Sequence, residues 1–364
     1  FEKVCMLGLG YIGLPTACML ATHGVQVTGV DINPRVVHML RNGELHIHEP
    51  GLRTLVEAAR ASGNLTVSEQ PEPADAFIIA VPTPFYAQQQ GDYQGMKYRL
   101  ADMGAVIAAT EAIVPHLCKG NLVVLESTSP PRTTVDLVKP ILERSGLRAG
   151  EDFSLVYSPE RVLPGQILRE LVENARVIGG VNPASAEAGR DLYTYFVRGE
   201  IVLTDATTAE MVKLMENTYR DINIAIANEF SSLAEQFGVD VWQAIAFANR
   251  HPRVKILNPG PGVGGHCISV DPWFFVEAAP ALARLIHTAR QVNDGQPHHT
   301  AALVTQALGG ELRGKRIAVL GLAFKPEVDD LRESPAIEVA QLLAEAGARV
   351  RAYEPYKPEE RVAG

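Results

Sequence analysis

Residues 3–31, KVCMLGLGYIGLPTACMLATHGVQVTGVD, decide how this chain folds. KVCML is apolar enough for a short buried strand. Gly8-Leu9-Gly10-Tyr11-Ile12-Gly13 follows at once, residues 14–22 read as a helix that Gly24 closes, and residues 26–31 read as a second strand. Glycines at Gly8, Gly10 and Gly13 permit a tight turn and bring the helix N-terminus up to a pyrophosphate. A bare GxGxxG is weak evidence. The strand before it, the helix after it and Asp31 at the end of the next strand make it a dinucleotide fingerprint. An Asp31 carboxylate accepts from ribose hydroxyls and repels a 2′-phosphate, so the expected cofactor is NAD rather than NADP.

The same pattern repeats downstream. Residues 76–81, 122–125 and 154–157 read as apolar strands that run into Pro82-Thr83-Pro84, Glu126-Ser127-Thr128-Ser129-Pro130 and Ser158-Pro159-Glu160-Arg161. In an open parallel sheet ligands sit at the carboxyl ends of the strands, where Thr83, Thr128 and Glu160 fall. The polar, glutamine-rich run 86–97 reads as a surface loop. Residues 207–237 read as one long helix, with Thr207 and Glu210 as a capping box and Gly238 at its end. Met211, Leu214, Met215, Ile222, Ile226, Phe230 and Leu233 recur at helical spacing and predict a buried face. Glu210, Lys213, Asn217, Arg220 and Asn228 form a polar seam, and asparagine is a poor helix former for a merely solvated face. A helix over 242–249 precedes the basic cluster Arg250-His251-Pro252-Arg253, and a helical run covers 279–292. Strands at 316–320 and 349–353 flank a helix opened by Ser334-Pro335. Two strands and one helix are too little for a domain, so further chain is expected after them.

Composition bounds the function. The chain has 364 residues, 46% of them hydrophobic, and a net charge of −9, which argues against nucleic acid or an anionic membrane as the main partner. A small anionic ligand needs only a local cluster of Arg and Lys. No apolar run is long enough to span a membrane. Cys5, Cys18, Cys118 and Cys267 show no paired metal-type spacing, so the expectation is a cytoplasmic protein with free thiols and no metal.

Residues 258–271, NPGPGVGGHCISVD, place one of those thiols in an unusual setting. Cys267 follows Gly262, Gly264 and Gly265, and so much glycine and proline excludes a helix or regular strand. A thiolate held there is a candidate nucleophile; a buried inert cysteine fits the loop alone equally well. His266 beside it reads as a loop residue and not as the base for the thiol.

Taken together, GLGYIGLP (8–15), VPTPF (81–85), ESTSPP (126–131), SPERVLPG (158–165), KLMENTYRD (213–221), NRHPRV (249–254), PGPGVGGHCISVDPWF (259–274) and GLAFKPEVDDLRESP (321–335) resemble the UDP-glucose/GDP-mannose dehydrogenase family over nearly the whole chain. The resemblance implies an α/β fold: an N-terminal Rossmann-like doubly wound sheet over 1–205, a central long-helix segment over 206–305 carrying catalysis and dimerisation, and the start of a C-terminal Rossmann-like, UDP-binding domain over 306–364. It implies an NAD-dependent four-electron oxidation of a UDP-sugar primary alcohol to a carboxylate. Cys267 is then the nucleophile, and Lys213 steadies the oxyanion with Asn217 and Asp271 beside the reacting carbon. Thr128 and Glu160 place the hydrolytic water. Tyr11, Ile12, Asp31, Thr83 and Thr128 match cofactor positions. Arg161, Val162, Lys213, Asn217, Arg220, His251, Arg253, Gly264, Phe324, Lys325 and Arg332 match substrate positions. The long apolar helix suggests a homodimer. Val162-Leu163-Pro164-Gly165 and Arg250-His251-Pro252-Arg253 resemble the members that oxidise UDP-N-acetyl-D-mannosamine for surface polysaccharide precursors, with UDP-N-acetylglucosamine and UDP-glucose as rival substrates. Two-electron 3-hydroxyacid dehydrogenases share the domain order but need no cysteine. A non-catalytic NAD-binding subunit has no need of Cys267, Lys213 and Asn217 together.

Overall fold

The computed structural model describes residues 1–265, 267–325 and 330–356. The chain divides into one unit of Phe1–Gln90 and Arg99–Lys213 and a second of Gly91–Tyr98 and Leu214–Gly364. Its strands are β1 (Lys3–Leu7), β2 (Gln26–Val30), β3 (Leu65–Ser68), β4 (Ala76–Ile79), β5 (Phe85–Tyr93), β6 (Met96–Ala101), β7 (Leu122–Leu125), β8 (Ser154–Tyr157), β9 (Arg176–Gly180), β10 (Ile201–Asp205), β11 (Arg316–Leu320) and β12 (Arg349–Tyr353). Its helices are α1 (Gly13–Thr22), α2 (Pro34–Arg41), α3 (Leu52–Ala61), α4 (Gly104–Ile113), α5 (Lys139–Leu142), α6 (Ile167–Glu173), α7 (Pro183–Tyr193), α8 (Ala206–Phe237), α9 (Val241–Ala248), α10 (Asp271–Ala278), α11 (Arg284–Ala307) and α12 (Pro335–Glu345).

The first unit is built on one eight-stranded sheet in the order β10-β9-β8-β7-β4-β1-β2-β3. All its pairings are parallel except β8 with β9. Buried strands of a parallel sheet read as continuous apolar runs, and Ala76–Ile79 and Leu122–Leu125 are buried at every position. Apolar clusters cover both faces, one built around Val4, Met6, Leu14 and Ile78, the other around Cys5, Phe77, Val123 and Leu155. Strand order reverses at β1, so the glycine turn after β1 opens at the switch point where such sheets hold ligands.

In the second unit, β11 and β12 form a two-stranded parallel sheet, and α12 buries Val339 and Leu343 together with Leu312. Among the described residues no helix is long and apolar enough to cross a membrane.

Several expectations change. The polar run 86–97 is not a loop: β5 and β6 form a two-stranded sheet turning at Gln94 and Gly95, both with positive φ. Most of β5 is exposed, so it lacks the one-sided alternation that betrays a strand. Helix α8 carries no capping box. Asp205 accepts from Thr208 N (2.9 Å) and Thr208 Oγ1 (2.6 Å), and Glu210 is turned elsewhere. Of the apolar face expected to be buried, Leu214 is fully covered, but Met211, Met215, Ile226, Phe230 and Leu233 are exposed. Periodicity reveals an apolar stripe, not what covers it. The helical run expected over 279–292 starts only at Arg284, as α11, which continues to Ala307 with Pro297 inside it, and a separate helix, α10, ends just before that run.

Candidate functional site

The glycine turn after β1 is held from three sides. Gly8 N donates to Val30 O (2.8 Å), Leu9 N donates to Asp31 Oδ2 (3.1 Å), and His46 Nε2 bonds Leu9 O (2.9 Å). Because a carbonyl only accepts, Nε2 carries that proton. Burial holds His46 below its ordinary pKa, which suits the neutral ring. A Cβ on Gly8, at φ +96°, would sit 2.4 Å from the Ala80 carbonyl oxygen, and one on Gly13 would sit 1.9 Å from that of Gly8, whereas Gly10 faces open space. Helix α1 has no side-chain cap at Ile12. Backbone N–H groups, an open Gly10 and the Asp31 carboxylate are what a dinucleotide pyrophosphate and ribose need, so these residues fit NAD.

The adjoining strand ends are cross-linked. Ser127 Oγ accepts from Val81 N (2.9 Å) and donates to Val81 O (2.7 Å), while Thr83 Oγ1 donates to Thr128 O (2.7 Å). Thr83 and Thr128 are thus brought together, as their positions on one sheet edge predicted. Glu210 accepts from Arg132 N (2.5 Å), Thr134 N (2.8 Å) and Thr134 Oγ1 (2.6 Å), fixing the turn after Thr128, where Arg132 has φ +74°.

Glu160 lies in a buried ion cluster that sequence reasoning missed. Its carboxylate pairs with Arg176 Nη2 and accepts from Arg161 N (2.7 Å). Arg176 Nη1 also donates to Glu126 Oε1 (3.1 Å) and Ser158 Oγ (3.1 Å), and its guanidinium stacks 4.1 Å from the Tyr193 ring centroid. Tyr193 OH donates to Glu126 Oε1 (2.9 Å), while Glu126 Oε2 is buried without a partner. Burial pushes the Glu126 carboxyl up to about 7 against the pull of Arg176. The available signal was a lone arginine opening the otherwise apolar strand RVIGG.

Of the expected substrate residues in this unit, Arg161 turns its guanidinium onto Ala175 O, and Val162 is half-buried. The loop after them is pinned by Glu49, also missed, which accepts from Gly165 N and Ile167 N, both at 2.9 Å. Lys213 is buried on α8.

In the second unit the cysteine loop is irregular, as its glycines predict. Cys267 O accepts from Val270 N (3.1 Å) and Asp271 N (2.8 Å), tying the thiol-bearing turn to the first residue of α10. Asp271 is buried and accepts from Asn217 Nδ2 (2.5 Å), so Cys267, Asp271 and Asn217 are brought together. A Cβ on Gly264 would lie 2.6 Å from Phe324 Cβ, and one on Gly265, at φ +87°, would lie 2.8 Å from the Phe324 ring. Gly265 N also donates to Arg332 O (3.1 Å). Phe324 and Arg332 therefore border the loop, while the Arg332 guanidinium forks onto Asp330 at 2.8 and 2.7 Å. Lys325 is half-buried, and Arg220, His251 and Arg253 are exposed. Of the four free cysteines, Cys5 and Cys18 are buried, with thiols pushed up by burial to about 11 and about 12; Cys118 is exposed and Cys267 half-buried. His266 lies outside the described residues, as do residues 326–329 of the C-terminal motif.

The chain is 50% identical over 356 residues to a UDP-N-acetyl-D-mannosamine dehydrogenase of Methanococcus maripaludis, covering 98% of this chain and 80% of that protein. It is 52% identical over 352 residues to an NDP-N-acetyl-D-galactosaminuronic acid dehydrogenase of Ralstonia nicotianae, covering 95% and 81%. The solved UDP-N-acetyl-mannosamine dehydrogenase of Staphylococcus aureus superposes with a TM-score of 0.90 at 49% identity, covering 99% of this chain and 84% of that one. Residues 2–197, 207–295 and 318–364 match in turn the NAD binding, central and UDP binding domains of a single family. The chain belongs to the UDP-glucose/GDP-mannose dehydrogenase family and is an NAD-dependent UDP-sugar dehydrogenase.

Proposed function

We propose that this enzyme oxidises UDP-N-acetyl-D-mannosamine to UDP-N-acetyl-D-mannosaminuronate, with reduction of two NAD per turnover. The observation that carries the reading is the tie between Cys267, Asp271 and Asn217: the backbone of the residue bearing a half-buried thiol is bonded to that of Asp271, whose buried carboxylate accepts from the Asn217 amide. Bound NAD supplies the hydride acceptor for both oxidations. Gly8, Gly10, Tyr11, Ile12, Gly13, Asp31, Thr83 and Thr128 hold it. Cys267 Sγ bonds the aldehyde carbon left by the first oxidation, which keeps a reactive aldehyde from escaping. The resulting thiohemiacetal still carries a hydride to give up, and the thioester left by the second oxidation is cleaved by water. Lys213 steadies the oxygen, with Asn217 and Asp271 beside the carbon, and Thr128 and Glu160 place the water. Arg161, Val162, Arg220, His251, Arg253, Gly264, Phe324, Lys325 and Arg332 bind the nucleotide sugar. Arginine forks suit its pyrophosphate in an otherwise acidic chain. The division at 1–205, 206–305 and 306–364 belongs to the same reading, supported by the spans of the three family matches. Free thiols suit a reducing, cytoplasmic setting.

The Ralstonia relative favours a second reading, a UDP-sugar of galacto configuration. One assay separates the readings: UDP-N-acetylmannosamine, UDP-N-acetylgalactosamine, UDP-N-acetylglucosamine and UDP-glucose, each with NAD and with NADP. The highest kcat/KM is expected for UDP-N-acetylmannosamine with NAD. A better rival sugar overturns the substrate, and equal turnover with NADP overturns the role of Asp31.

The protein is also proposed to be a homodimer. Met215, Tyr219, Ile226, Phe230, Leu233 and Phe237 leave an apolar stripe exposed along α8, larger than a lone surface helix usually shows. Sedimentation is expected to give a dimer that Phe230→Asp dissociates. A monomeric wild type would exclude it.

A further inference from the structure

The cysteine loop is held at its start by a buried polar chain. Gly260 N donates to Asn228 Oδ1 at 2.9 Å, and Asn228 Nδ2 donates to Asn293 Oδ1 at 2.9 Å. Asn293 Nδ2 in turn donates to Asp221 Oδ1 (2.8 Å) and to the Asp221 carbonyl (3.0 Å), and Arg290 Nη1 donates to the same Asp221 Oδ1 (2.5 Å). All four side chains, from α8 and α11, are at most 1% exposed. The direction of each bond is forced. A carboxylate only accepts, so Asn293 must turn its nitrogen to Asp221 and its oxygen to Asn228, which leaves Asn228 an oxygen for the loop. Unpaired groups at this depth are costly, so the arrangement has little freedom.

A second contact comes from the same helix. Pro297 stands four residues after Asn293 in α11 and has no N–H to bond the Asn293 carbonyl. Gly262 packs beside it: at φ +139°, a Cβ on it would lie 2.8 Å from Pro335 Cβ, 3.4 Å from Pro297 Cδ and 3.5 Å from Asn293 O. The loop is thus seated at Gly260 by a side chain and at Gly262 between Pro335 and the α11 turn that Pro297 leaves without an N–H, both upstream of Cys267.

We propose that Asn228, Asn293 and Pro297 are positioning residues for Cys267, setting the loop so that the thiol meets the aldehyde carbon before the aldehyde departs. This rests on Cys267 being the nucleophile. The first oxidation takes a hydride to the cofactor and a proton to solvent and needs no sulfur. Capture then forms the S–C bond and breaks the C=O π bond, the thiol proton ending on the former carbonyl oxygen, and a displacement on the ångström scale is enough to slow it strongly. A loosened loop therefore does not depress both steps equally; it diverts product from acid to free aldehyde. Amides that served only to join α8 to α11 would lower the melting temperature and leave this partition alone.

The experiment measures NADH formed per UDP-sugar consumed, with hydroxylamine present to trap aldehyde, alongside the alkylation rate of Cys267 in a Cys118→Ser background. Wild type is expected to form two NADH and no oxime. Asn228→Ala, which strands Gly260 N–H and Asn293 Oδ1, is expected to fall towards one NADH with matching oxime and an altered alkylation rate. Asn228→Asp, which keeps the acceptor for Gly260, is expected to recover part of the second oxidation. Pro297→Ala restores an N–H to the Asn293 carbonyl in a residue that favours helix, so it decides the matter if Asn228→Ala does not fold; it too is expected to release aldehyde. Folded variants that keep two NADH and the wild-type alkylation rate overturn the proposal. Cys267→Ala is the control: two NADH from that variant would instead overturn the nucleophile itself.

Discussion

With Cys267 replaced by alanine, formation of the sugar acid is expected to fall by several orders of magnitude while NAD affinity is unchanged. The two effects separate because the proposed cofactor cradle is made of backbone around Gly8, Gly10 and Gly13, with Asp31 fixed on Leu9 N and Asn33 N. Without sulfur, no covalent intermediate forms and the second oxidation has nothing to act on. The fold should tolerate the change, since the contacts of the turn run through the Cys267 carbonyl, which alanine retains. Product analysis, cofactor titration and a melting curve test this together. Acid formed at a near wild-type rate would remove the covalent mechanism.

Replacing Arg176 by methionine is expected to cost about 3–5 kcal/mol, the range for stranding buried partners of an ion pair. Here two carboxylates are stranded, Glu126 and Glu160, with Tyr193 and Ser158 losing a partner as well. That is a large share of the stability of most domains. The loss should depend on pH. Burial already raises Glu126 from an ordinary 4.5 to about 7, so the folded state keeps a proton that the unfolded chain releases. The stabilisation linked to that proton is complete below about 4.5 and is lost as pH rises through about 7. Removing the guanidinium raises the group further, so the deficit of the variant should be larger at pH 8 than at pH 5. Glu126→Gln should flatten the wild-type slope between those values. Urea denaturation at both pH values is the measurement, and equal deficits would show that Arg176 does not carry the cluster.

Much of this was legible because local rules act over a few residues. The turn at Gly8 needs positive φ and close approach to Ala80, so glycine is the residue that fits. Ala76–Ile79 and Leu122–Leu125 announce buried parallel strands by being apolar throughout. The hairpin of β5 and β6 was illegible because its mostly exposed first strand leaves no apolar period to read. Helix α10 was missed because DPWFFVEA is too short for a helical period to emerge, and its opening Asp-Pro suits a loop as well as a first turn.

By itself, the sequence determined a nucleotide-binding sheet, an acidic residue at the end of its second strand and a glycine-lined loop that presents one thiol. Those features follow from φ, from period and from the chemistry of single side chains. Tertiary structure alone decided which polar groups meet: Glu160 and Glu126 on Arg176, Thr83 on Thr128, Glu210 on Thr134, Asn228 between Asn293 and Gly260. Each of these partners is brought together by strand order or helix packing across a separation that no local rule spans. A buried polar group must be paired, but its own sequence neighbourhood does not name the partner.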